Sequence, residues 1–198
     1  MVKRLMDIAV AACALVVLLP FFVVAAVWIR LDTPGPVFFR QERVGRHGRV
    51  FRIHKFRTMA HAPQGAGRQI TVGADRRITR AGRWLRHTKL DELPQLIDVL
   101  LGDMSLVGPR PEVPRYVAMY PEDLKAKVLS VRPGITDPVS LEFADESELL
   151  GRAADPEREY VEVIMPKKLR AAVAYVERAS VWNDLAVLAQ TLRLLCGR

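Results

Sequence analysis

Between Ile8 and Ile29 the chain runs for 22 residues without one charged side chain. As a straight helix such a run would be about 33 Å long, enough to cross the hydrocarbon core of a bilayer. It is too long for the apolar part of a secretory signal, and no small-x-small cleavage pattern follows Trp28-Ile29-Arg30. A buried core helix rarely stays apolar all round over this length. The sequence therefore predicts a membrane-inserted unit over residues 1–31. Pro20 falls near the middle of the run, where a proline removes a backbone hydrogen bond and kinks a helix. Lys3 and Arg4 precede the run and Arg30 closes it. Positive charge on both flanks suits a re-entrant segment whose two ends stay on the cytoplasmic side; the residues alone equally admit one span with a tolerated proline.

The remaining stretch, 32–198, is long enough to bury a core without disulfide or metal staples. The only cysteines are Cys13 and Cys196, and the histidines (His47, His54, His61, His87) lack metal-ligand spacing, which excludes a disulfide scaffold and a Cys-based zinc site. The net charge is +8, and the excess is local. From Arg40 to Lys89 there are 14 Lys and Arg against two acids, Glu42 and Asp75; the rest of the chain holds 16 basic and 20 acidic residues. Such a block suits nucleic acid, an anionic membrane surface or a phosphorylated substrate.

Thr33-Pro34-Gly35-Pro36 breaks the chain, after which Val37–Gln41 and Val50–Phe56 read as strands of a hairpin around Gly45–Gly48. His61–Gly73 reads as a mobile loop. Ile78–Leu90 is predicted as a helix that buries Trp84 and Leu85. Asp91–Leu101 is predicted as a second, with an apolar stripe of Leu93, Leu96, Ile97, Leu100 and Leu101, and Gly102 as its stop. Val107–Pro111 reads as an irregular stiff loop, Tyr116–Val131 as partly helical and Arg132-Pro133-Gly134 as a turn. Asp155-Pro156-Glu157 has the form of a helix start, leading to Arg178 with an interruption at Pro166. Ser180 caps a last helix, Val181–Leu195. Its Trp182, Leu185, Leu188, Leu192 and Leu195 face either a membrane or the core. The fold class expected is α+β, mainly α: a proline-broken membrane helix, a small hairpin and amphipathic interfacial helices.

The acids Asp91 and Glu92 open the second helix. Alone they read as an N-cap and a dipole-matched carboxylate. Their surroundings add another reading. Arg83, Arg86 and Lys89 lie just upstream, and Lys55 and Arg57 end the hairpin. Carboxylates among cations suit a site where arginines hold phosphate oxygens and carboxylates hold a divalent metal. The phosphate-cradling Gly-x-x-x-x-Gly-Lys-Ser/Thr and Gly-x-Gly-x-x-Gly motifs are missing, as are Asp-x-Asp and Gly-x-Ser-x-Gly.

The segment from Lys89 through Asp91-Glu92-Leu93-Pro94-Gln95 to Val107-Gly108-Pro109-Arg110-Pro111 resembles the signature of the bacterial sugar transferases, the monotopic polyprenyl-phosphate phosphoglycosyltransferases. Phe51–Met59, Val131–Thr136, and the short basic start with Asp7 and a proline-broken helix resemble the same family. The likeness reaches through Thr136 and suggests the family's minimal catalytic form, with 32–198 as a membrane-associated catalytic domain. It implies an enzyme that moves a sugar-1-phosphate from a UDP-sugar to undecaprenyl phosphate and releases UMP, the first membrane step of polysaccharide or glycoconjugate synthesis. It further implies Asp91 as nucleophile through an aspartyl phospho-sugar, Glu92 as base or metal ligand, and Mg2+ bound by Asp91 and Glu92. Lys55, Arg57, Arg86 and Arg110 become the expected phosphate contacts, and Arg132 a residue of the nucleotide or lipid-phosphate pocket. The implied setting is the cytoplasmic face of a bacterial inner membrane, with a re-entrant helix and bilayer lipids as partners.

The family often carries Ser before the helix-breaking proline, where this chain has Leu19. It also often has Gly-Trp-x-Gln where this chain has Asp137-Pro138-Val139-Ser140, so Asp137–Leu150 is expected to shape a different pocket. Two other classes remain: a basic membrane-anchored adaptor, and a glycosyltransferase of another type on one span. An adaptor leaves the paired acids unexplained, and the basic stretch lacks the aromatic platform of a nucleic-acid module. No nucleic-acid partner is expected. The sequence specifies neither the sugar nor the oligomeric state, a homo-oligomer included.

Overall fold

The computed structural model describes residues 2–60, 75, 77–138 and 146–196. The apolar run forms two helices, α1 (Val2–Val17) and α2 (Leu19–Asp32), bent by 61° where they meet at Leu18. Pro20 lies in the first turn of α2, where its missing N–H has no intrahelical partner. The amide of Leu18 still donates to Ala14 O (2.8 Å) and that of Phe22 to Leu18 O (2.9 Å), so the ladder closes again within a turn. Among the described residues no single helix is long and apolar enough to cross a membrane; only the bent pair together offers that length. Val16, Val17, Leu19, Val23 and Val24 around the bend are exposed.

The predicted hairpin is present as β1 (Phe38–Val44) and β2 (Val50–Phe56), antiparallel with Phe38 opposite Phe56 and Val44 opposite Val50. It is held between two apolar clusters. Phe51 and Ile53 join Ala11, Leu96 and Val99 on one side. On the other, Phe56 joins Ala25, Ile29, Ala81 and Leu85. Burying a Phe or Leu side chain contributes about 1.5–3 kcal/mol each, so this double contact fixes the hairpin against both halves of the bent pair.

Helix α3 (Arg80–His87) starts later than predicted, because Thr79 caps it by accepting from the Gly82 amide at 3.0 Å. Leu85 is fully buried, but Trp84 is 44% exposed and leans on Phe21 and Trp28 instead of entering the core. The next predicted helix is shorter than expected. Lys89 takes a left-handed backbone (φ 58°), Leu90–Glu92 forms a single 3-10 turn, and α4 runs only from Gln95 to Leu101. Pro94 has no N–H to bond back to Leu90, so the turn closes by Leu93 N donating to Leu90 O.

The loop after α4 hides a parallel pair that alternation could not reveal in three-residue strands. These are β3 (Ser105–Val107) and β4 (Gly134–Thr136), with Ser105 beside Gly134 and Val107 beside Thr136. A Cβ on Gly134 would lie 2.1 Å from Gly108 N, so the two segments approach closely only because both are glycine there.

Short helices α5 (Pro114–Val117), α6 (Glu122–Val128) and α7 (Glu146–Arg152) follow, then α8 (Pro156–Glu159), which Asp155 caps as predicted. The expected interruption at Pro166 falls earlier, as a π-helical turn over Tyr160–Ile164 leading into α9 (Met165–Glu177). That wider turn accommodates the amide missing from Pro166 in the first turn of α9. Ser180 Oγ accepts from Asn183 N (3.1 Å) at the start of α10 (Val181–Cys196). The apolar face expected on α10 divides. Leu188 packs on the core, whereas Trp182, Leu185 and Leu192 are exposed, and the Leu195 side chain lies outside the described part. The loop read over His61–Gly73 also lies outside the described residues, as do residues 139–145 of the Asp137–Leu150 segment.

Gly82 is the closest fit between α3 and the strand end, since a Cβ there would sit 2.0 Å from Thr58 O. Gly82→Ala is expected to cost about 1–3 kcal/mol by overpacking, measured as a lower thermal midpoint in detergent. An unchanged midpoint would mean that α3 is free to move away from Thr58.

Candidate active site

The 3-10 turn Leu90–Glu92 presents Asp91 and Glu92 beside the end of β2 and the loop that follows β3. Glu92 Oε1 accepts from Lys55 Nζ at 2.7 Å. Arg110 grips the same carboxylate with both terminal nitrogens, Nη1 donating to Oε2 at 2.9 Å and Nη2 to Oε1. This fork-on-carboxylate geometry is the strongest form of ion pair a protein makes. Among the described residues the dyad's hydrogen bonds all go to Glu92.

The two acids consequently titrate in opposite directions. Burial pushes Glu92 up, but the charges and hydrogen bonds of Arg110 and Lys55 outweigh it and hold Glu92 well below the usual carboxylate range. Burial and the negative charge of Glu92 push Asp91 up, and Lys55, Arg86 and Arg110 only partly oppose them. Burial likewise lowers Lys55 against the pull of Glu92, and lowers Arg86 against the pull of Asp91. One acid is a fixed counter-ion and the other a more basic carboxylate. This division of labour is what a site needs when one of two neighbouring acids must act as base or nucleophile.

Three of the predicted cations meet at the dyad: Lys55, Arg110 and Arg86. The last is anchored by Nε donating to Thr58 Oγ1 at 2.8 Å. Arg57 departs from the expectation. Its guanidinium donates to Ile29 O (3.2 Å), Thr33 O (2.7 Å) and Pro34 O (2.5 Å), closing the carbonyl end of α2. Arg132 departs too, its Nε donating to Gly102 O at 2.8 Å. It sits at the far end of α4 from the dyad, about 10 Å away by helix rise. Arg4 shares that end, donating to Val99 O (2.7 Å) and Leu100 O (3.3 Å). Helix carbonyl ends attract cations in this way because they carry partial negative charge and lack intrahelical donors.

Sequence reasoning missed Arg43 and Glu112. Arg43, on β1, donates to Pro111 O at 3.0 Å and lies 3.9 Å from the carboxylate of Glu112. Glu112 Oε1 accepts from Tyr160 OH at 2.8 Å. Only the position of Glu112, directly after Arg110-Pro111, marked it in the sequence. His54 ties β2 to α4: its amide and Nδ1 both meet Asp98, at 2.8 and 2.6 Å.

Among the described residues no three His, Cys, Asp or Glu side chains gather as a metal cage. Magnesium is often held by one or two carboxylates with substrate phosphates completing the shell. Asp91 fits that demand. Glu92, expected as a second ligand, has both oxygens engaged by Lys55 and Arg110.

The family model described as "Bacterial sugar transferase" matches residues 1–198. The chain belongs to the bacterial sugar transferases. It is 36% identical over 196 residues to a UDP-N-acetylgalactosamine-undecaprenyl-phosphate N-acetylgalactosaminephosphotransferase of Aeromonas hydrophila, covering 98% of this chain and 43% of that protein. It is 38% identical over 201 residues to a UDP-glucose:undecaprenyl-phosphate glucose-1-phosphate transferase of Caulobacter vibrioides, covering 96% of this chain and 68% of the relative. An uncharacterized sugar transferase of Bacillus subtilis, EpsL, is 38% identical over 195 residues, with 96% and 85% covered. The chain thus spans less than half of the first of these relatives and most of the last.

Glu92→Gln removes the charge that pushes Asp91 up while leaving the cations in place. Asp91 is therefore expected to titrate lower, which an infrared carboxyl titration of the full chain would read; an unchanged or higher value would contradict the coupling. The same variant strands Lys55 and Arg110 and is expected to destabilise by roughly 2 kcal/mol, less than a fully buried pair because both cations keep some water. Because Glu92 is depressed, its contribution to stability is present above the ordinary carboxylate range. That contribution is lost only as pH falls through its lowered folded value.

Proposed function

We propose that this chain transfers a sugar-1-phosphate from a UDP-sugar to undecaprenyl phosphate and releases UMP, with Asp91 as the nucleophile. The observation that carries this reading is the asymmetry of the dyad: Glu92 is clamped by Lys55 and Arg110, and Asp91 is raised beside the same cations. The names of the relatives above, which specify undecaprenyl phosphate as acceptor, support it.

In the first displacement a carboxylate oxygen of Asp91 attacks the phosphorus that carries the sugar. An O–P bond forms, the P–O bond to the UMP oxygen breaks, and its electron pair leaves with UMP. In the second, an oxygen of the lipid phosphate attacks the same phosphorus, and Asp91 departs as a free carboxylate. Splitting one transfer into two displacements lowers each barrier. Neither step requires a proton at Asp91. Lys55, Arg110 and Arg86 supply positive charge where the equatorial oxygens and the leaving UMP gain negative charge, worth several kcal/mol in a partly dry site. Glu92 is a positioning residue that holds Lys55 and Arg110 at the spot. Magnesium, bound by Asp91 and the diphosphate, would neutralise charge on the leaving group.

The bent pair α1–α2 enters and leaves the cytoplasmic leaflet of the inner membrane, with its exposed apolar bend deepest. Lys3, Arg4 and Arg30 keep both ends at the cytoplasmic surface. Main-chain groups at the break are served by the bonds around Leu18, as a lipid setting requires. The site then lies where a cytosolic nucleotide sugar and an interfacial lipid phosphate meet.

Three measurements test this reading. Release of UMP from a panel of UDP-sugars should depend on undecaprenyl phosphate, and Asp91→Asn should reduce it by at least about 10³-fold while membrane association persists; near-normal turnover would remove Asp91 as nucleophile. Excess EDTA should stop UMP release and added Mg2+ restore it, whereas full activity in EDTA would reject the metal. Single cysteines at the N-terminus and after Arg30, in a background lacking Cys13 and Cys196, should both label from the cytoplasmic side, and opposite accessibility would mean a span.

A further inference from the structure

Next to the dyad and its cations, a cleft partly open to solvent lies between the Pro109–Glu112 loop, α6 and the start of α9. Arg110 belongs to both: it borders the cleft and grips the dyad carboxylate. A group seated in the cleft is therefore one guanidinium away from the reacting phosphorus.

The walls say what kind of group fits. Glu112 and Asp137 place two carboxylates in the cleft, and Asp137 is 4% exposed. Arg110 and Lys168 line the same cleft, so its charges balance and it is suited to a neutral group as much as to a phosphate. Tyr120 and Tyr160 give it flat aromatic surface, and Lys168 Nζ stands 5.4 Å from the centre of the Tyr160 ring. Glu112 is not left to rotate: Tyr160 OH donates to Oε1 at 2.8 Å and the Val113 amide to Oε2 at 3.1 Å. Fixed acceptors, an aromatic wall and one ammonium donor are the equipment for reading the hydroxyls of a neutral ring.

We propose that this cleft receives the glycosyl group of the donor, with Glu112, Asp137 and Lys168 as the residues that select among sugars. The proposal rests on the transferase reading above. It puts sugar selection on the Pro109–Glu112 loop and the start of α9. The sugar is bonded to the phosphorus that Asp91 attacks, so a cleft reached through Arg110 holds it without stretching the diphosphate. Sites built around hydroxyl hydrogen bonds discriminate strongly against analogues that misplace the hydroxyl.

The test uses the full chain in detergent with undecaprenyl phosphate. The donors are UDP-glucose, UDP-galactose and their N-acetylamino forms. Wild type, Glu112→Gln and Lys168→Met are compared by KM, by kcat, and by the concentration of UMP that inhibits. The expected result is a KM for the preferred donor raised about tenfold or more and a changed ranking of donors, with inhibition by UMP within twofold of wild type. Lys168→Met, at a half-buried position, keeps the question answerable if Glu112→Gln fails to fold. Unmoved KM and ranking would overturn the assignment while leaving the transferase intact. Weakening of UMP inhibition in step with KM would mean that the cleft holds uridine, and would overturn it too. No lipid-dependent UMP from folded wild type with any donor would overturn the transferase reading and this inference with it.

Discussion

One carboxylate, that of Glu92, ties together three stretches far apart in sequence. Lys55 reaches it from the end of the hairpin and Arg110 from the loop after β3, while Glu92 itself precedes α4. Taking three charges largely out of water is costly, and the attraction among them offsets that cost only when geometry is good. Here it is: a lysine and a forked arginine share two oxygens. The cluster carries one negative and two positive charges before Asp91 is counted. Asp91 brings these four groups to balance, and among the described residues the hydrogen bonds of Lys55 and Arg110 to the dyad go to Glu92.

The frame that holds these three stretches in register is largely made of polar ties to backbone. Arg57 closes the carbonyl end of α2, and Arg4 and Arg132 close that of α4. A second buried network joins the two ends of the chain. Lys3 Nζ meets Asp184 Oδ2 at 2.5 Å and Val107 O at 3.1 Å, while Tyr175 OH donates to Asp184 Oδ1 at 2.6 Å. Asp7 accepts from Ser105 Oγ at 2.8 Å and from the Leu106 amide at 3.3 Å. The Lys3–Asp184–Tyr175 ties and the Asp7 ties both end on β3, which leads through Gly108 to Arg110. The first helix, which carries exposed apolar side chains such as Val10, Val16 and Val17, is thereby coupled to the arginine of the site.

Much of this was legible in the sequence because it is written in local chemistry. The proline-broken apolar run, the hairpin, the Asp155 and Ser180 caps and the acid pair each rest on residue type and spacing. What escaped reading rests on contacts between distant segments. A three-residue parallel pair has no periodicity to detect, and its mark was only the two glycines, Gly108 and Gly134, that let the backbones touch. Arg57 and Arg132 looked like phosphate ligands because a guanidinium serves a phosphate and a helix end equally well; only the fold decides which. The dyad turn was misread as helix because nothing local announces that Lys89 will adopt a left-handed backbone. Glu112 carried no signal beyond its place after Arg110-Pro111, and its partner Tyr160 lies 48 residues on.

The central claim is that Asp91, and not its clamped neighbour, bonds to phosphorus. The most direct measurement is intact-protein and peptide mass spectrometry after incubation with the working UDP-sugar in the absence of lipid acceptor, quenched in acid. A mass increase equal to one sugar-phosphate, mapped to Asp91 and discharged when undecaprenyl phosphate is added, is the result predicted. An adduct on Glu92, or turnover by a protein that never carries one, would contradict it.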